Sequence, residues 1–585
     1  MTEIKSPTRA WWRIPLLQRV AIRPEREEQV FLVLALVIGA LTGLTVVAFI
    51  VLTERLGMRL YPPGSASWRR IFVPIAGSVA MGYLLFRYFP YARGSGVPQT
   101  KAALYAREGR ILFRTVVGKF LCTSATLASG IPLGREGPSV QVGAGIASVL
   151  GRSLGLRPER VKALLPVGAA AAIAAAFNTP LAAVLFALEE VVGDLNAPVI
   201  GTVVIASATA WLILRLLLGN NPLFKVPQYQ LVHPAEFAVY SVLGVAGGVV
   251  SVAFTKLLLG LRQKFLMLPK KTLWFQPVAG GVVVGLLGWA VPQVLGVGYG
   301  FVGDALNGKM ALKLMAILVL LKLVAVAMSY ASGNAGGIFG PSLFIGAMLG
   351  GCVGTLAHRL FPAHTATAGA YALVGMGTAF AGIVRAPMTS VLMIFEMTQN
   401  YAVIVPLMIS NLISLFISSR LQRAPIYEAL AIQDGLHLPG AASRRQPQMR
   451  QVVRIMRKSS ESLPVDISVR DALDRVRDSR FQSWLVTDGP RVFGVLNLSA
   501  LQQEMMKGDS RTIRELVKSI NFPHVHADQS FDLALERMGA NRVQVLPVVN
   551  RADVHDLLGV VTLEDVLEAY GLGSSESDQN RDSSA

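Results

Sequence analysis

The sequence is poor in cysteine and in charge. Only two cysteines occur among 585 residues, and charged residues make up 16% of the chain. Cys122 and Cys352 both lie in apolar stretches, so neither a disulfide framework nor a metal site is expected. No nucleophile–base set stands out, which argues against an enzyme and against a required cofactor. A cleavable signal peptide is not expected either, because Arg and Glu interrupt residues 1–28 before any long apolar run.

Apolar residues dominate instead. They make up 52% of the chain, and the mean hydropathy is +0.50, which fits a membrane protein with several spans. Val30–Leu52 and Ile200–Leu218 are long enough to cross a bilayer. Other apolar segments are shorter and broken by Gly or Pro, near residues 115–152, 160–193, 338–357 and 370–400. Such segments are typical of helices that enter the membrane and stop partway.

The net charge of +19 is concentrated beside the apolar region. Basic residues crowd the N-terminal arm and the stretch after the last span, whereas the connection Gly219–Pro234 carries only Lys225. The positive-inside rule therefore predicts that both termini are cytoplasmic and that this connection lies outside. We expect such a multi-pass protein in the cell (inner) membrane. Since topology explains the basic residues, nucleic-acid binding is not expected.

The two halves of the apolar region repeat. Gly137-Pro138-Ser139 recurs as Gly340-Pro341-Ser342, and Pro180 with Glu189 recurs as Pro387 with Glu396. The offsets are 203 and 207 residues, which indicates an internal duplication; chance identity among apolar residues is the alternative. If the N-terminus is inside and the midpoint outside, the second copy is inverted relative to the first.

After Arg420 the composition changes, and from about Met449 to Tyr570 it is that of a soluble α/β protein. We predict an N-terminal arm (1–28), a membrane domain (29–432) with repeat halves of about 29–218 and 235–432, and a linker (433–448). Two units follow, at 449–507 and 508–571, and then a disordered tail at 572–585. Each unit shows a strand–helix–strand–strand–helix rhythm that is similar to a CBS domain, so the pair resembles a tandem CBS module.

Three Gly/Pro turns interrupt the membrane domain: Gly94–Pro98, Gly134–Pro138 and Gly336–Pro341. A break at membrane depth must be shielded by protein or must line a cavity. Helix N-termini expose unpaired N–H groups and a positive dipole end, which together attract anions. The turns therefore predict several helix starts that meet at an anion site inside the bilayer.

Two side chains in these turns could act on an anion. Ser95 lies between two glycines, so its hydroxyl can donate while the backbone approaches closely. A simple turn is the alternative. Glu136 lies in an apolar region, where a carboxylate is costly to bury unless it pairs or has a function. Its negative charge could take the place of an anion; the alternative is a surface carboxylate paired with Arg135.

Two further contributions come from later in the chain. Ile338 and Phe339 open an apolar stretch, and their side chains are apolar, so any role in anion binding falls to their backbone N–H groups. Tyr427 follows the last span, where its hydroxyl could donate to an anion from the cytoplasmic side. On its own, such a tyrosine is more typical of an interfacial anchor.

The order of these signatures, over about residues 30–430, resembles the CLC family of chloride channels and chloride/proton antiporters. The resemblance implies a polytopic α-helical fold with an inverted repeat and broken, tilted helices, embedded in lipid and assembled as a homodimer with one pore per subunit. It implies a central chloride held by Ser95, Tyr427 and the backbone amides of Ile338 and Phe339. It also implies that Glu136 is the gating glutamate, which competes for an outer anion site near the amides of Arg135–Gly137.

The family contains both antiporters and passive, voltage-gated-type channels. In similar antiporters a second, internal glutamate accepts protons from the cytoplasm, and Glu190 occupies that position after Asn178-Thr179-Pro180. Proton transport needs a titratable group at each end of a dry route, and Glu136 with Glu190 would supply two. The alternative is that Glu189 and Glu190 cap a helix or form surface salt bridges. We favour antiport, with a passive chloride channel as the alternative.

The CBS-like pair suggests regulation. Such pairs often bind adenine nucleotides, with a Thr/Ser and an Asp three residues later on the ribose. Thr562 and Asp565 have that spacing, whereas Asn497 and Ala500 occupy the matching places in the first unit. A structural module is the alternative. Two other functions are alternatives for the whole chain. A CBS-regulated cation transporter would need acidic residues along its membrane path. A membrane-anchored nucleotide sensor without transport would not need Glu136 or the broken helices.

Overall fold

The computed structural model forms two compact units, which divide between residues 440 and 441. It describes residues 24–195, 198–219, 224, 226–227, 229–436, 451–458, 461–479, 481–506, 512–517, 522–527, 529–550 and 553–570. The predicted tail and most of the predicted arm and linker lie outside the described residues.

The first unit is helical. Its α-helices are α1 Pro24–Leu60, α2 Arg69–Arg87, α3 Val97–Ala106, α4 Phe113–Ala128, α5 Glu136–Ser153, α6 Pro158–Phe177, α7 Pro180–Phe186, α8 Ile200–Leu218, α9 Glu236–Leu266, α10 Pro277–Ala290, α11 Tyr299–Leu306, α12 Leu312–Ala331, α13 Phe339–Leu360, α14 Ala368–Val384, α15 Pro387–Thr398, α16 Ile404–Leu421 and α17 Ile426–Gln433. A π-helical turn, Ala187–Val192, extends α7. Within the described ranges, eight helices are long and apolar enough to cross a membrane.

The predicted breaks are real helix boundaries. Helix α3 begins directly after Gly96, α5 begins at Glu136, and α13 begins at Phe339. Gly94 and Gly96 have φ values of +85° and +103°, a backbone conformation that glycine adopts without strain. The Gly/Pro turns of the sequence thus determine where these three helices start.

The elements of the first half recur in the second. Helices α1 to α8 correspond in order to α9 to α16, and even the short 3₁₀ turns Pro90–Ala92 and Pro292–Val294 precede equivalent helices. The predicted duplication is therefore present in the fold.

Small residues allow equivalent helix pairs to pack closely in both halves. A Cβ atom added at Gly143 on α5 would lie 2.2 Å from the carbonyl oxygen of Gly168 on α6. The same distance separates a Cβ at Gly346 on α13 from the carbonyl oxygen of Gly375 on α14. Such backbone approaches are typical of membrane helices, whose association depends on close packing.

The second unit contains two small sheets. The parallel pair β1 (Ser462–Pro464) and β2 (Ser483–Asp488) is extended by antiparallel β3 (Arg491–Asn497), and β4 (Val545–Val549) pairs antiparallel with β5 (Leu557–Thr562). Its helices are α18 Val469–Val476, α19 Leu498–Met506, α20 Ile513–Leu516, α21 Phe531–Asn541 and α22 Leu563–Ala569. The unit has two separate apolar clusters, one around Trp484, which includes Ile513, and one around Leu546, which includes Val452.

Candidate functional site

Three helix starts meet in the first unit. A Cβ atom at Gly96 would lie 2.1 Å from the carbonyl oxygen of Gly137, and one at Gly137 would lie 2.4 Å from the carbonyl oxygen of Ser95. A Cβ at Gly337 would lie 3.2 Å from the backbone nitrogen of Gly137. The first two approaches require glycine, and the third is tighter than most Cβ contacts. Together they bring the turns before α3, α5 and α13 close to one another.

The two repeat halves are joined at this point. Gly134 and Gly337 each donate a backbone N–H to the other's carbonyl oxygen, both at 2.7 Å, in an antiparallel bridge. This reciprocal pair places the equivalent turns of the two halves side by side. The positive ends of α5 and α13 therefore face one region of the protein.

Two buried lysines support the loops around this junction. Lys119 on α4 and Lys322 on α12 occupy equivalent places in the two repeats, and both are fully buried. Each Nζ donates to two backbone carbonyls ahead of a short helix, α3 or α11. The acceptors and N···O distances are Ala92 (3.0 Å) and Gly94 (2.5 Å) for Lys119, and Val294 (3.0 Å) and Gly296 (2.6 Å) for Lys322.

Glu136 is fully buried at the first position of α5. Its Oε1 accepts a hydrogen bond from the hydroxyl of Tyr299, and its Oε2 accepts the backbone N–H of Gly340 at 3.3 Å. The carboxylate therefore lies at the start of α13, where the helix dipole favours negative charge. The alternative of a surface carboxylate paired with Arg135 is wrong, because the side chain is buried and has these other partners.

Ser95 and Tyr427 present buried hydroxyls. Both residues are at most 1% exposed, and neither Ser95 Oγ nor Tyr427 Oη has a hydrogen-bond partner in the part of the chain that the structure describes. The Ser95 backbone N–H donates to the Tyr330 hydroxyl at 3.2 Å, so the side chain is the unused donor. Helix α17, which carries Tyr427, packs against α3. A buried hydroxyl without a partner is costly, and it can donate to a ligand.

Ile338 and Phe339 lie at the start of α13 and are fully buried. Their backbone N–H groups have no hydrogen-bond acceptor among the described residues, as the first amides of a helix do not. The Phe339 ring packs against the rings of Phe177, Phe186 and Phe380, with centroids 4.9, 5.6 and 4.4 Å away. This apolar packing surrounds unpaired donors, a combination that suits a small anion held largely without water.

Arg135 lies beside Glu136 but has different partners. Its guanidinium lies 3.8 Å from the carboxylate of Glu54, which is 64% exposed, and 5.8 Å from the centre of the Tyr299 ring. An ion pair with so exposed a partner is weak. Arg135 therefore supplies positive charge near the start of α5 without neutralising Glu136.

Comparison with known proteins gives two family matches. Residues 76–419 match the family model described as voltage gated chloride channel, and residues 513–572 match the CBS domain. The first match covers more than half of the chain. The chain belongs to the CLC family of voltage-gated chloride channels.

Individual members of the family resemble different parts of this CLC chain. An H(+)/Cl(-) exchange transporter ClcA of Vibrio campbellii (strain ATCC BAA-1116) is 34% identical over 364 residues, which cover 61% of this chain and 78% of that protein. A slow cyanobacterial Cl-/H+ antiporter, solved by X-ray crystallography, has a TM-score of 0.64, 27% identity, and covers 69% of this chain and 97% of its own. A eukaryotic CLC transporter matches in fold over 92% of this chain and 97% of its own, with a TM-score of 0.61 and 20% identity.

The acidic pair of the CLC chain is divided between two environments. Glu189 accepts the backbone N–H groups of Met388 (3.4 Å) and Thr389 (2.8 Å) at the start of α15. In the other half, Glu396 accepts the N–H groups of Leu181 (3.0 Å) and Ala182 (2.7 Å) at the start of α7. The first acidic position is thus a helix cap exchanged between the repeats, as its repetition in the sequence suggested.

Glu190 has a different partner. Its Oε1 lies 2.7 Å from Lys101 Nζ, and both side chains are about 95% buried, at 6% and 5% exposure. It belongs to the π-helical turn, a type of distortion that is frequent at functional sites. The alternative was a salt bridge at the protein surface. Glu190 does form an ion pair, but the pair is buried, so that alternative is wrong.

Sequence reasoning missed Tyr299 and Lys101. Tyr299 could have been found, since Gly296-Val297-Gly298-Tyr299 repeats Gly94-Ser95-Gly96-Val97 at an offset of 202 residues. The tyrosine then stands at the start of α11, the counterpart of α3. Lys101 gives no such signal, because its contact with Glu190 depends on how α3 packs against the π-helical turn.

In the second unit, Thr562 and Asp565 form a capping box at the start of α22. Asp565 Oδ2 accepts the Thr562 backbone N–H (3.0 Å) and hydroxyl (2.7 Å), and Oδ1 contacts Arg457. Asn497, in the matching place, accepts the Ala500 N–H at 2.9 Å. Both positions are therefore helix caps, and both carboxylate oxygens of Asp565 have protein partners.

Proposed function

We propose that the protein exchanges chloride for protons across a membrane, with Glu136 as the gate and Glu190 as the internal proton acceptor. The observation that carries the proposal is the buried Glu136 carboxylate, hydrogen-bonded to Gly340 N–H at the start of α13. A carboxylate in that position occupies a place that suits an anion. The names of the Vibrio relative and of the cyanobacterial structure support coupling to protons.

Chloride binding follows from the donors around the junction. The hydroxyls of Ser95 and Tyr427 and the N–H groups of Ile338 and Phe339 form the central site. The amides of Arg135 and Gly137 form an outer one, beside the carboxylate. Hydrogen bonds to an ion are stronger than those between neutral groups, so four such donors can replace much of its hydration.

Proton coupling follows from the charge of Glu136. When ionised, its carboxylate and a chloride exclude each other from the outer site, because both seek the same N–H donors. Protonation removes that competition and allows chloride to enter. Glu190 supplies the proton from the cytoplasmic side, so each protonation of the gate is linked to movement of an anion.

Simultaneous flux measurements test the proposal. Purified protein in liposomes with a chloride gradient should drive protons uphill, and the reversal potential should depend on both the chloride and the pH gradient. Glu136→Ala is the control, in which chloride moves passively. A wild-type reversal potential that ignores the pH gradient would make the protein a passive channel.

The assembly and its location extend the proposal. The protein is a homodimer with one pore per subunit in the cell (inner) membrane, with its termini and CBS pair in the cytoplasm. Cross-linking of the purified protein and protease access to the CBS pair in spheroplasts and inverted vesicles test these points. Monomers in the membrane, or cleavage from the outer side, would contradict them.

For the second unit, the proposal is that an adenine nucleotide binds and regulates transport. A cavity of about 750 Å³ lies between its halves, lined by Asn497, Gln502, Arg542 and Gln544 among others. Arg542 supplies a positive charge for a phosphate group. Binding at Thr562 and Asp565 requires Arg457 to release Asp565. Calorimetry with ATP and AMP on the full chain and on Arg542→Gln and Thr562→Ala tests both sites.

A further inference from the structure

The antiport scheme gives no role to Lys101. This residue lies on α3, whose start carries the Ser95 turn, and its ammonium is 2.7 Å from the carboxylate of Glu190. The side chains of the two residues are 5% and 6% exposed. The proton acceptor is therefore held in a buried ion pair with the helix that forms part of the anion site.

Other ionisable groups on the neighbouring elements do not provide this contact. Glu189 is directed to the start of α15, and Tyr105 on α3 donates to the Val192 carbonyl. Helix α17 carries Tyr427 and Glu428, and α5 carries Glu136 and Arg152. Helix α6 carries Glu159, Arg160 and Lys162 near its N-terminal end. Among the ionisable groups in the described ranges, Lys101 is the group within salt-bridge distance of Glu190.

A nearby ammonium stabilises the ionised form of a carboxylate, and burial strengthens this effect. Loading a proton onto Glu190 turns a neutral buried pair into one with a net positive charge. The proton must therefore be taken up against the field of Lys101, or only when the pair opens.

We propose that Lys101 is a positioning residue that keeps Glu190 ionised and sets the cytoplasmic pH at which the exchanger takes up protons. The inference rests on the proposed function, since it assigns a control to the same proton route. It explains why the acceptor is buried without being neutral: Lys101 compensates its charge. It also makes the arrangement of α3 sensitive to the protonation of Glu190.

The first test is the pH profile of coupled flux. Lys101→Gln should shift the profile to higher internal pH, because the carboxylate of Glu190 loses the opposite charge that lies 2.7 Å away. Lys101→Arg keeps the charge and should restore the wild-type profile. Lys313→Gln, at an exposed position on α12, removes the same charge elsewhere and should leave the profile in place. An unchanged profile in Lys101→Gln would overturn the proposal.

A second measurement does not depend on coupling or on the folding of a Lys101 variant. Infrared titration of the wild-type protein reports the protonated carboxyl band of Glu190, identified by its loss in Glu190→Gln. The band should be absent at neutral pH and appear only on acidification. A Glu190 carboxyl band already present at neutral pH would overturn the proposal. If the proposed function itself is wrong, the result is different: the wild-type protein will transport chloride without moving protons.

Discussion

Removal of the two unpartnered hydroxyls should weaken chloride binding without weakening the protein. The changes are Ser95→Ala and Tyr427→Phe, each of which deletes one oxygen. Both oxygens are buried and lack a partner among the described residues. Their only favourable contribution in the proposed site is therefore to the anion.

The magnitude follows from the kind of hydrogen bond. A hydrogen bond to a charged group contributes roughly 1.5–3 kcal/mol, so each single variant should bind chloride about 10- to 100-fold more weakly. The N–H groups of Ile338 and Phe339 should retain residual binding in the double variant. In chloride-free buffer the thermal stability should be equal to or above that of the wild type, because a buried hydroxyl without a partner is itself destabilising by roughly 1–3 kcal/mol.

Calorimetric titration with chloride and thermal unfolding in a chloride-free buffer together check this prediction. Two matched controls remove hydroxyls that do have partners. The Ser418 hydroxyl donates to the Gly382 carbonyl at 2.6 Å, and the Tyr240 hydroxyl lies 3.4 Å from Glu236 Oε2. Ser418→Ala and Tyr240→Phe should keep chloride affinity and lose about 1 kcal/mol of stability. Unchanged chloride affinity in the Ser95→Ala/Tyr427→Phe double variant would refute the reasoning.

Four further outcomes are expected. Glu136→Ala should abolish proton coupling and leave passive chloride flux in liposomes, because a neutral side chain can neither occupy the anion site nor carry a proton; full coupling would remove Glu136 from the gate. Tyr299→Phe removes the hydroxyl that holds the Glu136 carboxylate, so that carboxylate should leave the outer site more readily and chloride efflux should be faster at a fixed pH, which efflux rates from liposomes check. Glu190→Gln should stop proton movement while chloride still crosses. Glu189→Gln should mainly lower thermal stability, by about 1 kcal/mol, because it weakens a helix cap. If Glu189→Gln uncouples transport and Glu190→Gln does not, the roles of the two glutamates are exchanged. Ser95→Pro should shift preference toward nitrate, because CLC members that prefer nitrate typically carry proline in place of this serine; the ratio of nitrate to chloride efflux measures the shift.

The sequence was sufficient to locate the helix starts, because Gly/Pro turns act locally. Ser95 and Glu136 could be identified as candidates for that reason, and the exact repetition of Gly137-Pro138 at Gly340-Pro341 gave the duplication. The contacts of these residues could not be read in the same way. Glu136 was expected to compete with an anion, but its hydrogen bond to Tyr299 joins residues 163 positions apart.

The contacts of Glu189 and Glu190 could also be predicted only in part. Repetition of Glu189 as Glu396 suggested a structural role, and the structure places both carboxylates on helix starts. The environment of Glu190 depends on a helix 89 residues earlier, so no local pattern indicates its ion pair. In the CBS pair, the spacing of Thr562 and Asp565 is equally typical of a helix cap, and the structure contains that cap.

The exchanged carboxylates have a consequence for how the chain is made. The N–H groups of Leu181 and Ala182 find their acceptor in Glu396, which the ribosome adds more than 200 residues later. Until then these two N–H groups lack the acceptor that they have in the folded protein. Met388 and Thr389, by contrast, meet an acceptor that has already been synthesised. The first half therefore cannot form these two hydrogen bonds until the second half has been synthesised.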